Sequence, residues 1–389
     1  MMTSILPADQ PEPKELKKAN KKSSRGKARV RHNPEKTLYA ALDLGTNNCR
    51  LLVVNGEGSG FKVRDSFSRI VRLGEGLDET GKLSDDAMER TIAALSICAA
   101  KIRRLRVPRI RCVATEACRH ASNGPEFVRR VQRETGLRLE IIDGGAEAEL
   151  AALGCEDLFK EEAKAVLVFD IGGGSTELTW LQRGEDSRLQ VTNVASFPLG
   201  VVRLAERFAG PGDNEHGYEA MRDACVESLQ EFSSSLSNEY NDGQAVQLVG
   251  TSGTVTTLAA VHMGLERYDR QKVDGSVFPM SDMIDVITAL RGLSRTELAA
   301  NQCIGIQRAD LVLAGCAVVD ALHGIWDAPE VSIADRGLRE GILLRMIRRD
   351  HRRRRRTRHR RTGRAGSDNS SNSSSTSSAT NSSNDGGSE

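Results

Sequence analysis

Short apolar runs and longer segments of helical periodicity alternate along most of this chain. Two apolar runs, at residues 39–42 and 165–169, are each followed by a turn of small residues and then by a second apolar run, at 51–54 or 178–181. A strand, a tight turn and a returning strand describe both segments, so the pattern predicts two β-hairpins. Because the two segments match at one fixed offset in the sequence, we expect them to open two related halves of the molecule.

Further strands and helices are predicted to alternate after each hairpin. In the first half we expect strands at 61–73, 109–114 and 139–142, and helices that begin after Ser84, at Pro125 and at Ala146. In the second half we expect strands at 196–199, 247–250 and 331–333, helices at 199–208, 218–236, 255–262 and 310–322, and a last helix that opens with residues 335–341. This alternation favours an α/β fold with mixed sheets covered by helices.

The predicted domains are residues 37–160 and 161–350, joined by the charged patch at 160–164. Two basic arms flank them: ten Lys and Arg face four acids in residues 1–36, and twelve arginines face four acids from Arg345 onward. These arms bury too little apolar surface to offset the entropy of ordering, so we expect disorder over 1–36 and 351–389. Since the total charge is only +2, the middle of the chain carries roughly −12.

The arginine run at 352–361 has two interpretations. It is either a solvated tail for solubility or tethering, or a contact for a polyanion such as polyphosphate or nucleic acid. Nucleic-acid binding as the main function is disfavoured, because no aromatic residues interrupt the run and no reading module is recognisable elsewhere.

The cysteine pattern predicts a cytoplasmic protein with reduced thiols. The eight cysteines form no CxxC pair and no Cys/His cluster at zinc-ligand spacing. The first residues lack an apolar signal-peptide region, and no run of about eighteen apolar residues would span a membrane. The sequence does not determine the oligomeric state, and a homodimer stays open.

The two hairpin turns carry the residue types that bind phosphate. Glycine-rich turns present backbone N–H groups to an anion without side-chain obstruction. The first turn contains Gly45, Thr46, Asn47 and Asn48, and the second contains Gly172, Gly173, Gly174, Ser175 and Thr176. Asp43 and Asp170 precede these turns at strand ends, where a carboxylate can hold Mg²⁺ beside phosphate. The alternative is that each aspartate caps its own turn.

Two further places extend this predicted site. Ser252, Gly253 and Thr254 follow a strand and precede a helix, so they would donate hydrogen bonds to phosphate or form an ordinary capped turn. Glu177 lies in the second returning strand, as a further metal ligand or as a solvent-facing residue.

Four segments together resemble the exopolyphosphatase and guanosine pentaphosphate phosphatase family. They are residues 43–51, 170–178, 251–254 and 335–341, and they follow in order within residues 37–346. That family belongs to the superfamily of actin, sugar kinases and the Hsp70 ATPase. The resemblance implies two actin-like (ribonuclease H-like) domains with mixed sheets and an active-site cleft between them. It also implies a Mg²⁺-dependent hydrolase that releases terminal phosphate from polyphosphate or guanosine pentaphosphate.

The resemblance also implies roles for two residues outside the turns. Glu147 stands where the family has the carboxylate that deprotonates the attacking water; the alternative is an ordinary first-turn glutamate of a helix. Arg119, in the segment 115–123, would neutralise phosphate oxygens; a surface arginine is the alternative. In the last segment, Asp335 and Arg336 are better explained as residues that fasten the final helix to the second domain.

Two other functions stay open at this point. An ATP-dependent small-molecule kinase would use the same fold and similar phosphate turns, although Glu147 suits water activation and no sugar-reading segment is evident. A nucleotide-sensing interaction protein would use the basic arms to bind RNA or an acidic partner.

Overall fold

The computed structural model describes residues 37–58, 60–208, 214–236 and 246–365. The basic arm predicted at 1–36 and the end of the tail, 366–389, lie outside these residues. Within the described residues, no helix has the length and apolar character needed to cross a membrane.

The described strands form two mixed sheets. In chain order they are β1 (Leu38–Leu44), β2 (Asn48–Glu57), β3 (Gly60–Ile70), β4 (Arg109–Ala114), β5 (Leu139–Ile141), β6 (Ala165–Ile171), β7 (Thr176–Arg183), β8 (Leu189–Phe197), β9 (Val246–Thr251), β10 (Val277–Pro279) and β11 (Glu330–Ala334). The first sheet has the order β3-β2-β1-β4-β5, and the second has the order β10-β11-β9-β6-β7-β8.

Helices cover both sheets. They are α1 (Leu77–Thr80), α2 (Asp85–Arg104), α3 (Glu116–His120), α4 (Gly124–Thr135), α5 (Gly144–Cys155), α6 (Val201–Phe208), α7 (Asn214–Ser235), α8 (Gly253–His262), α9 (Arg270–Val273), α10 (Met280–Arg291), α11 (Arg295–Ala300), α12 (Val312–Ile325) and α13 (Leu338–Ala365). We call the first sheet with α1–α4 the first lobe, and the second sheet with α6–α12 the second lobe.

Both sheets are built around the predicted hairpins. β1 pairs antiparallel with β2 and parallel with β4, and β6 pairs in the same way with β7 and β9. Asp43 faces Arg50 across the first hairpin, and Asp170 faces Glu177 across the second. The prediction of two related hairpins is confirmed, and so is the mixed α/β fold.

Several parts of the chain differ from the sequence-based expectation. Strand β8 spans Leu189–Phe197, whereas we expected a strand at 196–199. The segment from α9 to α11, with strand β10, was not predicted. Helix α13 runs to Ala365, whereas we expected order to end near residue 350. Arginine is a good helix former, so the arginine run can continue a helix that has already begun in the core.

Helix α5 lies between the two sheets and is buried nearly all round. On one side Leu150 packs in a cluster with Tyr39 and other residues of the first sheet, while Cys155 packs with Val166 and other residues of the second. Helix α13 joins the first of these clusters through Ile342. The two lobes are therefore connected through a shared pair of helices, α5 and α13, rather than through a linker alone.

The crossing of α5 and α13 depends on glycine. A Cβ atom on Gly341 would overlap the carbonyl oxygen of Leu150, and a Cβ atom on Gly154 would overlap the carbonyl oxygen of Gly337. The helix backbones can approach this closely only where no side chain intervenes. Because the contact lies near the start of α13, it fixes the segment before that helix against α5.

Replacing Gly341 by Ala should therefore destabilise the protein. We expect a loss of about 1–3 kcal/mol in the free energy of unfolding, since the helices must move apart to admit the methyl group. The matched control is Gly324→Ala near the end of α12, where the new Cβ would meet open space and helix propensity predicts a gain of up to about 1 kcal/mol. Urea unfolding measures both, and equal effects would contradict the glycine contact.

Candidate active site

A cleft of about 1180 Å³ gathers the segments singled out in the sequence. Its lining includes both hairpin turns, the turn at 251–254, the first turn of α5 and residues 335–340. These segments come from both lobes and from the two shared helices. The predicted meeting of the two hairpin turns at one cavity is observed.

The two hairpin turns touch each other directly. A Cβ atom on Gly173 would lie 3.1 Å from the backbone nitrogen of Asn47 and 3.1 Å from Cβ of Thr46. Behind the second turn, a Cβ atom on Gly200 would overlap the backbone of Gly174. Glycine at these positions therefore allows close approach of backbones around the cleft.

Several polar groups of these turns have no partner. In the described part of the chain, the backbone N–H groups of Thr46, Asn47, Gly173 and Gly174 find no acceptor. The buried Oγ1 of Thr46 and Oδ1 of Asn47 also make no hydrogen bond. Buried polar groups in folded proteins are nearly always paired, so this arrangement indicates a bound group that supplies the missing partners. N–H and hydroxyl donors suit an anion.

Nearly all predicted phosphate-binding residues line the cleft. They are Gly45, Thr46, Asn47, Asn48, Gly172, Gly173, Gly174, Ser175, Ser252, Gly253 and Thr254. Thr176 is absent from the lining, because its side chain is buried and its Oγ1 donates to the carbonyl oxygen of Leu199 at 2.8 Å.

The turn before α8 is not an ordinary capped turn. Ser252 has φ of 82° and makes no side-chain capping bond to the helix. Its hydroxyl instead donates to the carbonyl oxygen of Ile171. A positive φ in a residue other than glycine is strained and is often found at functional sites. The first amides of α8 thus stay available at the cleft.

Asp43, Asp170 and Glu177 line the cleft; Glu177 is buried, whereas the two aspartates are partly exposed. Burial raises the pKa of Asp43, and the guanidinium of Arg50 opposes the shift. Burial likewise raises the pKa of Asp170 to about 6, again opposed by Arg50. Burial, followed by the charge of Asp170, raises the pKa of Glu177 to about 7. Hydroxyls of Ser175 and Ser196 donate to Glu177 at 2.6 and 2.8 Å and limit this rise.

Glu147 is another acid of the cleft and lies in the first turn of α5. Asp143 caps that helix by accepting a hydrogen bond from the backbone N–H of Ala146 at 2.8 Å. The Glu147 side chain is 10% exposed. Burial and the charge of Glu177 raise its pKa well above the usual range, against the opposing charge of Arg119. A carboxylate with a raised pKa can accept a proton near neutral pH.

Arg119 contacts Glu147 and is not part of the cleft lining. Its Nη2 donates to Oε2 of Glu116 at 2.6 Å, and its Nη1 donates to the carbonyl oxygen of Ile142 at 2.7 Å and to Oε2 of Glu147 at 3.2 Å. These bonds direct the guanidinium toward protein acceptors rather than toward the open cleft.

Three further arginines of the cleft were not predicted as site residues: Arg50, Arg308 and Arg339. Arg50 occupies in the first hairpin the register position that Glu177 occupies in the second. The duplicated pattern could therefore have revealed Arg50. Arg308 and Arg339 carry no such local signal.

Residues 335 and 336 hold the start of α13, as the sequence suggested. Arg336 donates to Oδ2 of Asp274 at 2.7 Å, and Oδ2 of Asp335 accepts a hydrogen bond from Tyr268 at 2.7 Å. Asp274 and Tyr268 both belong to the second lobe. Asp335 and Arg336 also contribute to the cleft lining.

The acids of the cleft fit Mg²⁺ in its usual protein environment. Within the described ranges, no group of three or more His, Cys, Asp or Glu side chains is arranged to hold a metal ion. Mg²⁺, however, is commonly held by only one or two carboxylates together with water and substrate phosphate. Asp43 and Asp170 provide two carboxylates of this kind that line the cleft beside the anion-binding turns.

Comparisons with known proteins agree with this geometry. The sequence model of the Ppx/GppA phosphatase family matches residues 53–350. Exopolyphosphatase 2 of Mycobacterium tuberculosis is 32% identical over 332 residues, which cover 80% of this chain and 98% of that protein. The chain belongs to the Ppx/GppA phosphatase family.

Solved structures of Ppx/GppA proteins share the fold. The crystal structure of the Aquifex aeolicus family member has a TM-score of 0.67 at 30% identity and covers 81% of this chain and 98% of its own. An exopolyphosphatase from Cytophaga hutchinsonii has a TM-score of 0.73 at 25% identity. The match covers 80% of this chain and 98% of the Cytophaga chain. The predicted family and its actin-like fold are confirmed, and a Ppx/GppA phosphatase is a phosphohydrolase rather than a kinase.

The buried acids should make the stability of this Ppx/GppA protein depend on pH. With no divalent cation present, folded Glu177 and Asp170 keep protons that the unfolded chain has lost between about pH 4 and pH 7. The free energy of unfolding should therefore be highest below this range and fall as pH rises through it. Glu177→Gln should reduce the fall by about 2–3 kcal/mol, as measured by urea unfolding at several pH values.

The control for this measurement is Glu149→Gln, which changes an exposed acid of the same region. It should keep the parental pH dependence. A Glu177→Gln protein with the parental slope would contradict the described burial of this carboxyl group.

Proposed function

We propose that this chain releases terminal phosphate from inorganic polyphosphate, with Glu147 as the base that deprotonates the attacking water. The observation that carries the proposal is the set of unpaired N–H and hydroxyl donors in the two hairpin turns, which share one cleft with the buried Glu147. These donors would bind the terminal phosphate groups.

In this proposal the reaction is an in-line displacement at the terminal phosphorus. A water oxygen forms a bond to phosphorus, and its proton passes to Glu147. The bond from phosphorus to the bridging oxygen breaks, and the shortened polyphosphate leaves with that oxygen. Arg119 would hold the Glu147 carboxylate in place through its hydrogen bond to Oε2.

The cofactor in this proposal is Mg²⁺, and Asp43 and Asp170 would hold it. When bound, the ion supplies positive charge that neutralises phosphate oxygens. Glu177 would support this pair from the neighbouring strand, fixed by the hydroxyls of Ser175 and Ser196. Arg50 lies near both aspartates and offsets part of their charge.

The character of the cleft favours polyphosphate over guanosine pentaphosphate. No aromatic side chain occurs among the cleft residues of the described chain, whereas Arg50, Arg308 and Arg339 all line it. A protein that holds a base usually stacks it on an aromatic side chain, which this cleft lacks, whereas a polyanion needs only cations and N–H donors. The name of the mycobacterial relative also indicates polyphosphate.

A cytoplasmic location is part of the proposal. All eight cysteines of the chain are buried and free. Free thiols are typical of proteins in reducing compartments.

The decisive test is Glu147→Gln in a phosphate-release assay with long-chain polyphosphate. We expect kcat to fall on the order of 10³-fold with little change in KM, because the variant keeps the binding turns but cannot accept a proton. Guanosine pentaphosphate, and ATP together with a panel of sugars, are assayed separately as alternative substrates. Removal of divalent cations with EDTA should abolish release.

Glu149→Gln is the matched control, since its side chain lies on the same helix, half exposed and paired with Arg345. It should retain parental activity. Parental rates in Glu147→Gln would show that another group takes the proton, and hydrolysis of guanosine pentaphosphate in preference to polyphosphate would reverse the substrate assignment.

We also propose that the basic end of α13 binds a distant part of a long polyphosphate chain. Asp350 is held by Tyr39 Oη at 3.3 Å and by Arg109 Nε at 2.9 Å, so the helix is anchored to the first sheet up to this point. Arg349 and Arg352 are exposed beside it. Eight more arginines follow in the sequence, up to residue 364.

Ending the chain after residue 350 should therefore weaken binding of long substrates. We expect KM for long-chain polyphosphate to rise several-fold and its salt dependence to decrease, since fewer counterions are released on binding. KM for short polyphosphate should not change. A chain that ends after residue 365 keeps the arginines and is the control. Equal KM values for long substrate in both truncated forms would contradict the proposal.

A further inference from the structure

A chain of ion pairs leads from the second lobe to Glu147. Arg203 on α6 has its Nη1 atom 3.5 Å from Oε1 of Glu116 on α3. Oε2 of Glu116 accepts a hydrogen bond from Arg119 Nη2 at 2.6 Å, and Arg119 Nη1 lies 3.2 Å from Oε2 of Glu147. Three of these residues belong to the first lobe and α5, and Arg203 alone comes from the second lobe.

Arg203 also fastens the two lobes together. Its Nε donates to Oδ1 of Asp78 on α1 at 2.7 Å. One turn further along α6, Oε1 of Glu206 accepts a hydrogen bond from the backbone N–H of Gly76 at 3.1 Å. Arg203 and Glu206 therefore both connect α6 to the first lobe. Of these two residues, Arg203 also belongs to the chain of ion pairs that leads to Glu147.

The pairs around Glu116 are shielded from water. The side chains of Arg203 and Glu116 are 15% and 16% exposed. Glu116 also lies against the phosphate turn of the second lobe, since a Cβ atom on Gly174 would come within 2.8 Å of its Cγ. Charges in such a place interact more strongly than surface pairs and hold a defined geometry.

We propose that Arg203 and Glu116 are positioning residues that couple the contact between the lobes to the orientation of Glu147. When the lobes are together, Arg203 neutralises one oxygen of Glu116, and the other oxygen holds Arg119 against Glu147. When the lobes separate, Glu116 loses Arg203 and the turn at Gly174, so Arg119 is no longer held in one orientation. The inference rests on the proposed role of Glu147. Its consequence is that the base is aligned only when the two phosphate turns face each other.

The kinetic test compares two groups of variants. Arg203→Gln and Glu116→Gln should each lower kcat with polyphosphate on the order of 100-fold, the size expected when a reacting group is misplaced by about 1 Å. KM should change little by comparison, and Arg203→Lys should recover part of the loss. The controls Glu206→Ala and Glu206→Leu remove a contact between the lobes but leave the ion pairs to Glu147 intact. They should act on KM and keep kcat within a few-fold.

If the controls lower kcat as much as Glu116→Gln does, the ion pairs are only part of a structural contact, and the proposal is wrong. The same conclusion follows if Arg203→Gln keeps parental kcat.

A second readout does not depend on turnover. Arg203 and Glu147 are joined only through Glu116 and Arg119, so their effects on Tm should be non-additive in a double-mutant cycle of Arg203→Gln and Glu147→Gln. The matched cycle of Glu206→Ala and Glu147→Gln should be additive. Additivity in the first cycle overturns the coupling. If the parent protein hydrolyses no phosphate substrate, the proposed function is wrong. The double-mutant cycle would still show whether Arg203 and Glu147 are coupled.

Discussion

The backbone contact between α5 and α13 is the constraint on which the rest of the molecule depends. α5 carries Glu147 at its start and packs on both sheets, and the segment before α13 lines the cleft. Gly154 and Gly341 allow the two helices to touch along their backbones. Both lobes are therefore connected through the same two helices, α5 and α13. This connection sets the distance between the two phosphate turns and the candidate base.

The cleft combines groups that would each be unfavourable alone. Asp43, Glu147, Asp170 and Glu177 repel one another and hold raised pKa values, while nearby backbone N–H groups lack acceptors. Arg50 and Arg119 offset part of the negative charge. As hydrogen-bond donors themselves, they cannot accept hydrogen bonds from the N–H groups of the turns. A phosphate group with a divalent cation would satisfy both sets at once, because its oxygens accept from the N–H groups while the cation neutralises the acids. The electrostatic demands of the protein and the chemistry of a phosphoanhydride are in this sense complementary.

Much of this arrangement could be predicted from the sequence, for identifiable reasons. The hairpins were predictable because an apolar run, a small-residue turn and a second apolar run are all local, and the repeat doubled the signal. Asp43 and Asp170 followed from their places beside those turns. Arg119 was assigned to phosphate neutralisation only through a family resemblance, and its actual orientation toward Glu147 depends on hydrogen bonds to Glu116 and to the Ile142 carbonyl oxygen. Arg308 reaches the cleft through tertiary packing that no local pattern records. The segment of α9 to α11 was missed because its short elements lack a strong period.

The pairing of Asp43 with Arg50, and of Asp170 with Glu177, has a consequence for how a substrate can lie. Two copies of one hairpin frame the cleft, yet the same register position is a cation in one copy and an acid in the other. The two ends of a linear polyphosphate are chemically identical, so such a molecule has no intrinsic head or tail. Directionality has to come from the protein, and the cation in one hairpin and the acid in the other give the two repeated halves of the cleft unlike charge.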